Sequence, residues 1–238
     1  MSLKETDLKI LLKALAFAAH KHKDQRRRDV DASPYINHPI SLADILCNEA
    51  HITDIETICG ALLHDTVEDT ETTAEELEDA FGKAIRDIVM DVTDDKNLSK
   101  ASRKQAQIDH AAQISDKAKL IKLADKISNL RDVDNITPAD GSLERRQEYF
   151  DWARRVIDQL RGAHPGLETL FDEIYAKRPV VWNSANNTKT CCGVAIVKEA
   201  LINSEFPQHK DVLLFSMTNK SLEMKKKGKS HFPFFVLW

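Results

Sequence analysis

Glycine and proline are scarce, seven of each in 238 residues, too few for many short strands joined by tight turns. Cysteine is scarcer still. Cys47, Cys59, Cys191 and Cys192 follow no zinc-binding spacing and suggest no disulfide framework, the adjacent pair being badly placed to bridge each other. The expected compartment is therefore reducing and intracellular, the cytoplasm. No apolar run reaches the roughly 18 to 20 residues that a membrane span needs. The N-terminus, MSLKETDLKILLKALAFAAHKH, interleaves charges with its apolar positions, unlike a secretory leader. A basic surplus is missing too: Lys+Arg 34 against Asp+Glu 38 leave a net charge of −4, which argues against a general nucleic-acid binder. Neither a Gly-rich phosphate loop nor an internal repeat is present. The expectation is a chain with no nucleic-acid, membrane or obligate protein partner.

What is there is 42% hydrophobic and 30% charged residues, the profile of a folded globular chain, and its apolar residues recur at helical spacing through residue 178. Leu8, Leu11, Leu12, Leu15 and Ala18–Ala19 share one face of a first helix. After a basic, turn-prone stretch from Lys23 to Pro34, a second helix is expected over Ile40 to Glu49, with Pro39 in its first turn. Asp54 can cap a third helix whose apolar side is Ile55, Ile58, Leu62 and Leu63. Thr73 and Glu76 match a capping box before a helix that stops near Gly82, and Ala84 to Val92 continues the pattern until TDDKNLSK breaks it. Ser115 can cap a segment carrying Leu120, Ile121, Leu123, Ala124, Ile127 and Leu130. Two more helices fit Leu143 to Leu160 and Leu167 to Lys177, separated by Gly162 and Pro165-Gly166. The predicted body, residues 1–178, is all-α.

Residues 179–238 differ in kind. They hold seven of the fifteen aromatics, carry eight lysines against four acids, and close on MKKKGKSHFPFFVLW. With no helical or strand period of useful length, the segment reads as a partly disordered C-terminal extension and not as a second catalytic domain. A variant terminus from alternative splicing or read-through would account for it.

The residues that carry chemistry cluster in PYINHP and ALLHDTVEDTETT. His38 opens one helix. On the next predicted helix His64 adjoins Asp65, with Glu68 four residues after the first and Asp69 four after the second, so the acids share one end of that helix. Carboxylates set among Ala61, Leu62, Leu63 and Val67 are costly to bury unless paired or bound to a metal. In KLIKLADKISNLRD, Asp125 interrupts an apolar face, with Asn129 one turn on and Lys122 nearly one turn back. His38, His64, Asp65 and Asp125 together make a two-imidazole, two-carboxylate set suited to Mn, Zn or Fe and less to Mg or Ca. Such a metal would lower the pKa of a bound water, and Glu68 or Asp69 would position that water or carry its proton. The plainer alternative is a surface His–Asp pair and an exposed Asp125. The other seven histidines read as structural or solvated.

A second cluster, Gln25-Arg26-Arg27-Arg28, is the densest basic spot of an acidic body. Guanidinium binds phosphate bidentately and stacks on bases, so a nucleotide is the substrate class it suggests. Lys96, Lys122, Arg131 and Arg145 are candidates for further phosphate contacts, and Tyr149 for stacking. A solvated charge run is the plainer reading of the arginines.

The series HxxxxRR, PYINHP, LLHDTVEDT, VTDDK, KLADKISNLRD and RRQEYFDWA, in order over roughly residues 5–178, resembles the HD-domain hydrolases of the RelA/SpoT group, especially their small single-domain metazoan members. The resemblance implies an all-α HD fold with one Mn2+ held by His38, His64, Asp65 and Asp125. It implies Glu68 and Asp69 as the acids that activate and orient water, and Arg27, Arg28, Lys96, Asn129, Arg145 and Tyr149 as substrate contacts. By the same resemblance, an arginine of the first basic cluster stacks on the base and the loop after VTDDK lines the phosphate side. The implied reaction removes the 3′-pyrophosphate of guanosine tetra- or pentaphosphate, giving GDP or GTP. Removal of the NADPH 2′-phosphate is the same-site alternative, and a non-catalytic nucleotide sensor is the alternative of another class. The departure is the sixty residues after Arg178.

Overall fold

A computed structural model describes residues 4–133 and 141–180, and all of its regular structure is helical. The helices are α1 (Glu5–Lys21), α2 (Asn37–Asp44), α3 (Ile55–Leu63), α4 (Thr66–Asp69), α5 (Ala74–Phe81), α6 (Lys83–Val92), α7 (Lys100–His110), α8 (Asp116–Asp132), α9 (Leu143–Asp158) and α10 (Pro165–Tyr175). A π-helical turn, Ile45–Glu49, extends α2. The all-α expectation for the body holds. The reading of 179–238 as an appendage falls, beyond its first two residues, outside the described residues.

The helix ends follow the sequence. Asp54 accepts the Thr57 N–H, Thr73 the Glu76 N–H and Ser115 the Ala118 N–H, each satisfying a donor that a helix start leaves over. Only half of the expected capping box forms, because the Glu76 carboxylate pairs with Lys21 at 2.8 Å. Gly82, at φ +83°, ends α5 and opens α6, a conformation glycine adopts without strain.

Central to the bundle is α8, which packs against α2, α3, α6, α9 and α10 and buries Ala118, Ile121, Leu123, Ala124, Ile127 and Leu130. A smaller core joins Ala14 and Ala18 of α1 to Cys59, Leu62 and Leu63 of α3 and to Leu77, Phe81, Ile85 and Val89. Gly60 lets α3 approach both α6 and α8: a Cβ there would lie 2.8 Å from Ile88 Cγ2 and 2.9 Å from Ile121 Cδ1. We expect Gly60→Val to cost about 2–3 kcal/mol by overpacking, read as a lower urea midpoint. An unchanged midpoint would mean that the two isoleucines repack freely.

Four expectations need correction. Leu8 and Leu12 are 46% and 55% exposed; the buried stripe of α1 runs through Ala14 and Ala18, since helix packing favours the small residues. Pro165 and Gly166 do not separate helices but begin α10, capped by the His164 ring. The His64–Asp69 stretch is not one helix. α3 ends at Leu63, and α4 begins after a turn at His64 and Asp65, where the Thr66 hydroxyl takes the Leu63 carbonyl at 2.6 Å. Finally, α7 was not anticipated. It buries no residue, so it writes no apolar period into the sequence.

Candidate functional site

The break between α3 and α4 turns His64 and Asp65 toward the start of α2 and the middle of α8. Donor atoms of His38, His64 and Asp65 lie within 4.8 Å of one another, and Asp125 Oδ1 stands 3.2 Å from His38 Nε2. His38 and His64 are buried, at 3% and 6% exposure. His64 Nδ1 is 2.9 Å from the Ala61 carbonyl; a carbonyl only accepts, so the ring proton is assigned there and Nε2 keeps a lone pair. That Nε2 is buried without a hydrogen-bond partner and faces Asp65 Oδ2 at 2.8 Å. Two lone-pair atoms so close call for a cation between or beside them.

The electrostatics agree with a cation. Burial lowers the His38 pKa, which keeps the imidazole neutral and able to ligate. Burial alone would raise Asp65, but the two imidazoles hold its carboxyl well below the usual range. Asp125 is likewise held low against its burial by Lys126, 2.8 Å away, and by His38. For His64, burial would lower the pKa, yet the Asp65 carboxylate raises it, so the pocket favours positive charge at this point. The four residues therefore fit a divalent metal ion. Outer contacts hold the ligands in place: the Tyr35 hydroxyl donates to Asp65 Oδ2 at 2.5 Å, and Asn129 Nδ2 donates to Asp125 Oδ1 at 2.6 Å.

A cavity of about 440 Å³ opens beside this cluster, within the range for small-molecule sites. Glu68 and Asp69 both line it. Glu68 Oε2 accepts the Asp94 backbone N–H at 3.1 Å, and burial raises its pKa. Asp69 is tied to Lys96 at 2.7 Å and more loosely to Tyr35 at 3.4 Å. Eight cationic side chains line the cavity against six acids, although the chain as a whole is acidic.

Of the expected substrate contacts, Arg27, Arg28, Asn129, Arg145 and Tyr149 line the cavity. Arg27 reaches Asn129 Oδ1 at 3.2 Å and Asp132 at 2.7 Å, and lies over the Tyr35 ring. Arg27, Arg28, Tyr35, Asn129 and Tyr149 also line an adjoining cavity of about 290 Å³. Burial pushes the Tyr149 hydroxyl up to about 12. Lys96 is half-exposed and is not part of the main cavity wall. Arg131 is turned away, paired bidentately with Glu49, because its position on α8 faces the opposite side from Asp125. Lys122 does line the cavity, donating to the Val92 carbonyl at 2.9 Å.

Several wall residues escaped the sequence reading. Lys100, Lys104 and Gln107 come from α7. Lys126 is buried, its ammonium 4.4 Å from the centre of the Trp152 ring, and Lys104 stands 4.9 Å from the same ring. Tyr35 and Trp152 carried a usable signal. Tyr35 lies three residues before His38, and Trp152 lies three after Tyr149 and seven after Arg145, which is one helix face.

Comparison with known proteins agrees with this geometry. A family model for the HD domain matches residues 14–151. The chain is 52% identical over 171 residues to the Danio rerio guanosine-3′,5′-bis(diphosphate) 3′-pyrophosphohydrolase MESH1, covering 72% of this chain and 95% of that one. It is 51% identical over 168 residues to the Homo sapiens protein of the same name, covering 71% and 94%. Among solved structures, a metazoan orthologue of SpoT that hydrolyses ppGpp and plays a role in starvation responses superposes with a TM-score of 0.69 at 48% identity, over 71% of this chain and 95% of that one. Half of all residues shared along nearly the full length of these pyrophosphohydrolases, with the histidines and aspartates of the motif gathered at one cavity, means that the chain belongs to the HD-domain family, in the metazoan branch of its RelA/SpoT-type hydrolases.

Proposed function

We propose that this protein is a Mn2+-dependent hydrolase that removes the 3′-pyrophosphate of guanosine tetra- or pentaphosphate, giving GDP or GTP and pyrophosphate. The observation that carries the reading is a cavity with a two-histidine, two-aspartate cluster at one end and a surplus of cations along its walls, in a chain half identical to enzymes named for this reaction. When bound by His38, His64, Asp65 and Asp125, the metal supplies a water of lowered pKa and a charge beside the scissile phosphate. Glu68 is placed to take a proton from the attacking water and hand it to the departing ribose O3′, and Asp69, fixed by Lys96, to orient that water. One water is consumed, and the bond between ribose O3′ and phosphorus breaks. Arg27 and Arg28 hold the nucleoside end, with Tyr149 and Asn129 beside them. Arg145 and the α7 lysines neutralise the phosphates, in a site whose partial burial strengthens each charge contact. The work is done by residues 1–178, in the cytoplasm, on a small nucleotide.

What supports NADPH as a second substrate is that Arg27 and Arg28 line both the main cavity and the one adjoining it, leaving room for a second nucleoside while a 2′-phosphate on a ribose meets the same cluster. The test is pyrophosphate release from guanosine tetraphosphate by Mn-loaded protein, with NADPH in parallel and a chelator control. Chelator-sensitive turnover is expected, faster on the tetraphosphate. Binding of the tetraphosphate with no turnover on either compound would replace the enzyme with a nucleotide sensor.

A further inference from the structure

Asp94 and Gln107 stand in the partition between the main cavity and a third one of about 250 Å³, and with Val92 and Lys122 they line both. Hydrogen bonds run along this partition from α7 to the proposed acid. Gln107 Nε2 donates to Asp94 Oδ2 at 2.5 Å, and the Asp94 backbone N–H donates to Glu68 Oε2 at 3.1 Å. Lys122 fixes the same stretch from below through the Val92 carbonyl, its ammonium 4.0 Å from Asp94. The segment carrying Asp94 is a loop between α6 and α7, so nothing helical sets the direction of its N–H. Its side chain is held by Gln107.

The other end of the relay is α7, which buries no side chain. Ile108 is half-buried against the main core, and the other described ties are polar: the Trp152 indole N–H donates to the Lys104 carbonyl at 3.0 Å, Arg155 donates to Gln105, and Gln107 donates to Asp94. The same helix brings Lys100 and Lys104 to the cavity wall. A helix held by such bonds and by one half-buried apolar side chain can settle when a polyanion engages its lysines.

We propose that Gln107 and Asp94 are positioning residues. Gln107 holds the Asp94 loop so that its N–H aims Glu68 at the water, and this couples α7, where the phosphates bind, to the acid that acts on them. The inference rests on the reading of Glu68 as that acid.

The experiment is a double-mutant cycle on metal-loaded full-length protein with guanosine tetraphosphate. Gln107→Leu is expected to lower kcat about tenfold, since displacing a reacting group by a fraction of an ångström costs one to two orders of magnitude, with KM within about threefold and metal content unchanged. Asp94→Ala should fall as far. Asp94→Asn, which keeps both an acceptor for Gln107 and the backbone N–H, should stay near the wild-type kcat. Gln107→Leu combined with Asp94→Ala should be no slower than the slower single variant, because both cut one path. If Gln107→Leu does not fold, Gln107→Asn, one methylene too short to reach, is read the same way.

An unchanged kcat, a loss confined to KM, or multiplicative losses in the double variant would overturn the relay. So would Asp94→Asn as slow as Asp94→Ala, which would point to the charge facing Lys122. Wild-type protein without turnover would instead sink the reading of the site, and the inference with it.

Discussion

Replacing His64 or Asp125 with alanine should abolish metal binding and hydrolysis together. Each supplies a donor that nothing nearby can replace: His64 Nε2 is buried and otherwise without a hydrogen-bond partner, and Asp125 faces His38 across 3.2 Å. Losing the ion forfeits a shift in water pKa from 15.7 to about 7, so activity should drop by on the order of 10³-fold or more. Asp125→Ala also leaves Lys126 buried without its 2.8 Å counter-ion, an uncompensated charge worth about 3–5 kcal/mol. Its fold should therefore be checked by circular dichroism before its activity is read. His64→Ala is the cleaner variant.

The same geometry fixes a sign for proton linkage. His64 has a raised pKa because Asp65 stabilises its charged form, so at pH values below that raised pKa metal entry must expel a proton, and Mn2+ affinity should fall as the solution is acidified through it. Elemental analysis and proton release on titration check both points. Normal metal content with full activity in either variant would refute the ligand assignment.

How far the sequence reaches depends on what each residue must bury. Helices with apolar faces, such as α3, α6 and α8, were legible because their core residues repeat at helical spacing, and the starts of α3, α5 and α8 because Asp54, Thr73 and Ser115 cap them. The ligands were legible because charged residues within apolar runs need a reason to be there. α7 was not: one half-buried isoleucine, Ile108, meets the core, its other contacts are polar bonds, and neither imposes a period. With it went Lys100, Lys104 and Gln107. The turn at His64–Asp65 was hidden for another reason. LLHDTVED has good helical spacing throughout, and the break comes with two local bonds, from the Thr66 hydroxyl to the Leu63 carbonyl and from the His64 ring to the Ala61 carbonyl. Arg131 and Lys96 were attractive as phosphate ligands by charge alone, but their nearest carboxylates, Glu49 and Asp69, engage them first.

Those pairings bear on the last prediction, which ranks the two acids. Glu68→Gln should keep the metal and the Asp94 N–H contact, since an amide oxygen accepts as a carboxylate does, and should lose about 10² to 10⁴ in kcat. Glu68 is the better base because burial raises its pKa, bringing it nearer to the working pH, where general-base efficiency is greatest. Asp69 is held instead by an ion pair, its carboxylate 2.7 Å from the Lys96 ammonium. Asp69→Asn should therefore cost less than Glu68→Gln and free Lys96 from its partner. With metal held saturating, the acid limb of the pH–rate profile should also change: catalysis by Glu68 needs the ionised form, so the rate falls as pH drops through its raised pKa, and Glu68→Gln should remove that limb. Steady-state kinetics with metal analysis on both variants decides the ranking. If Glu68→Gln loses only substrate affinity while Asp69→Asn loses kcat, the roles are exchanged, and the acid held by the Asp94 N–H serves to bind where the one paired with Lys96 acts.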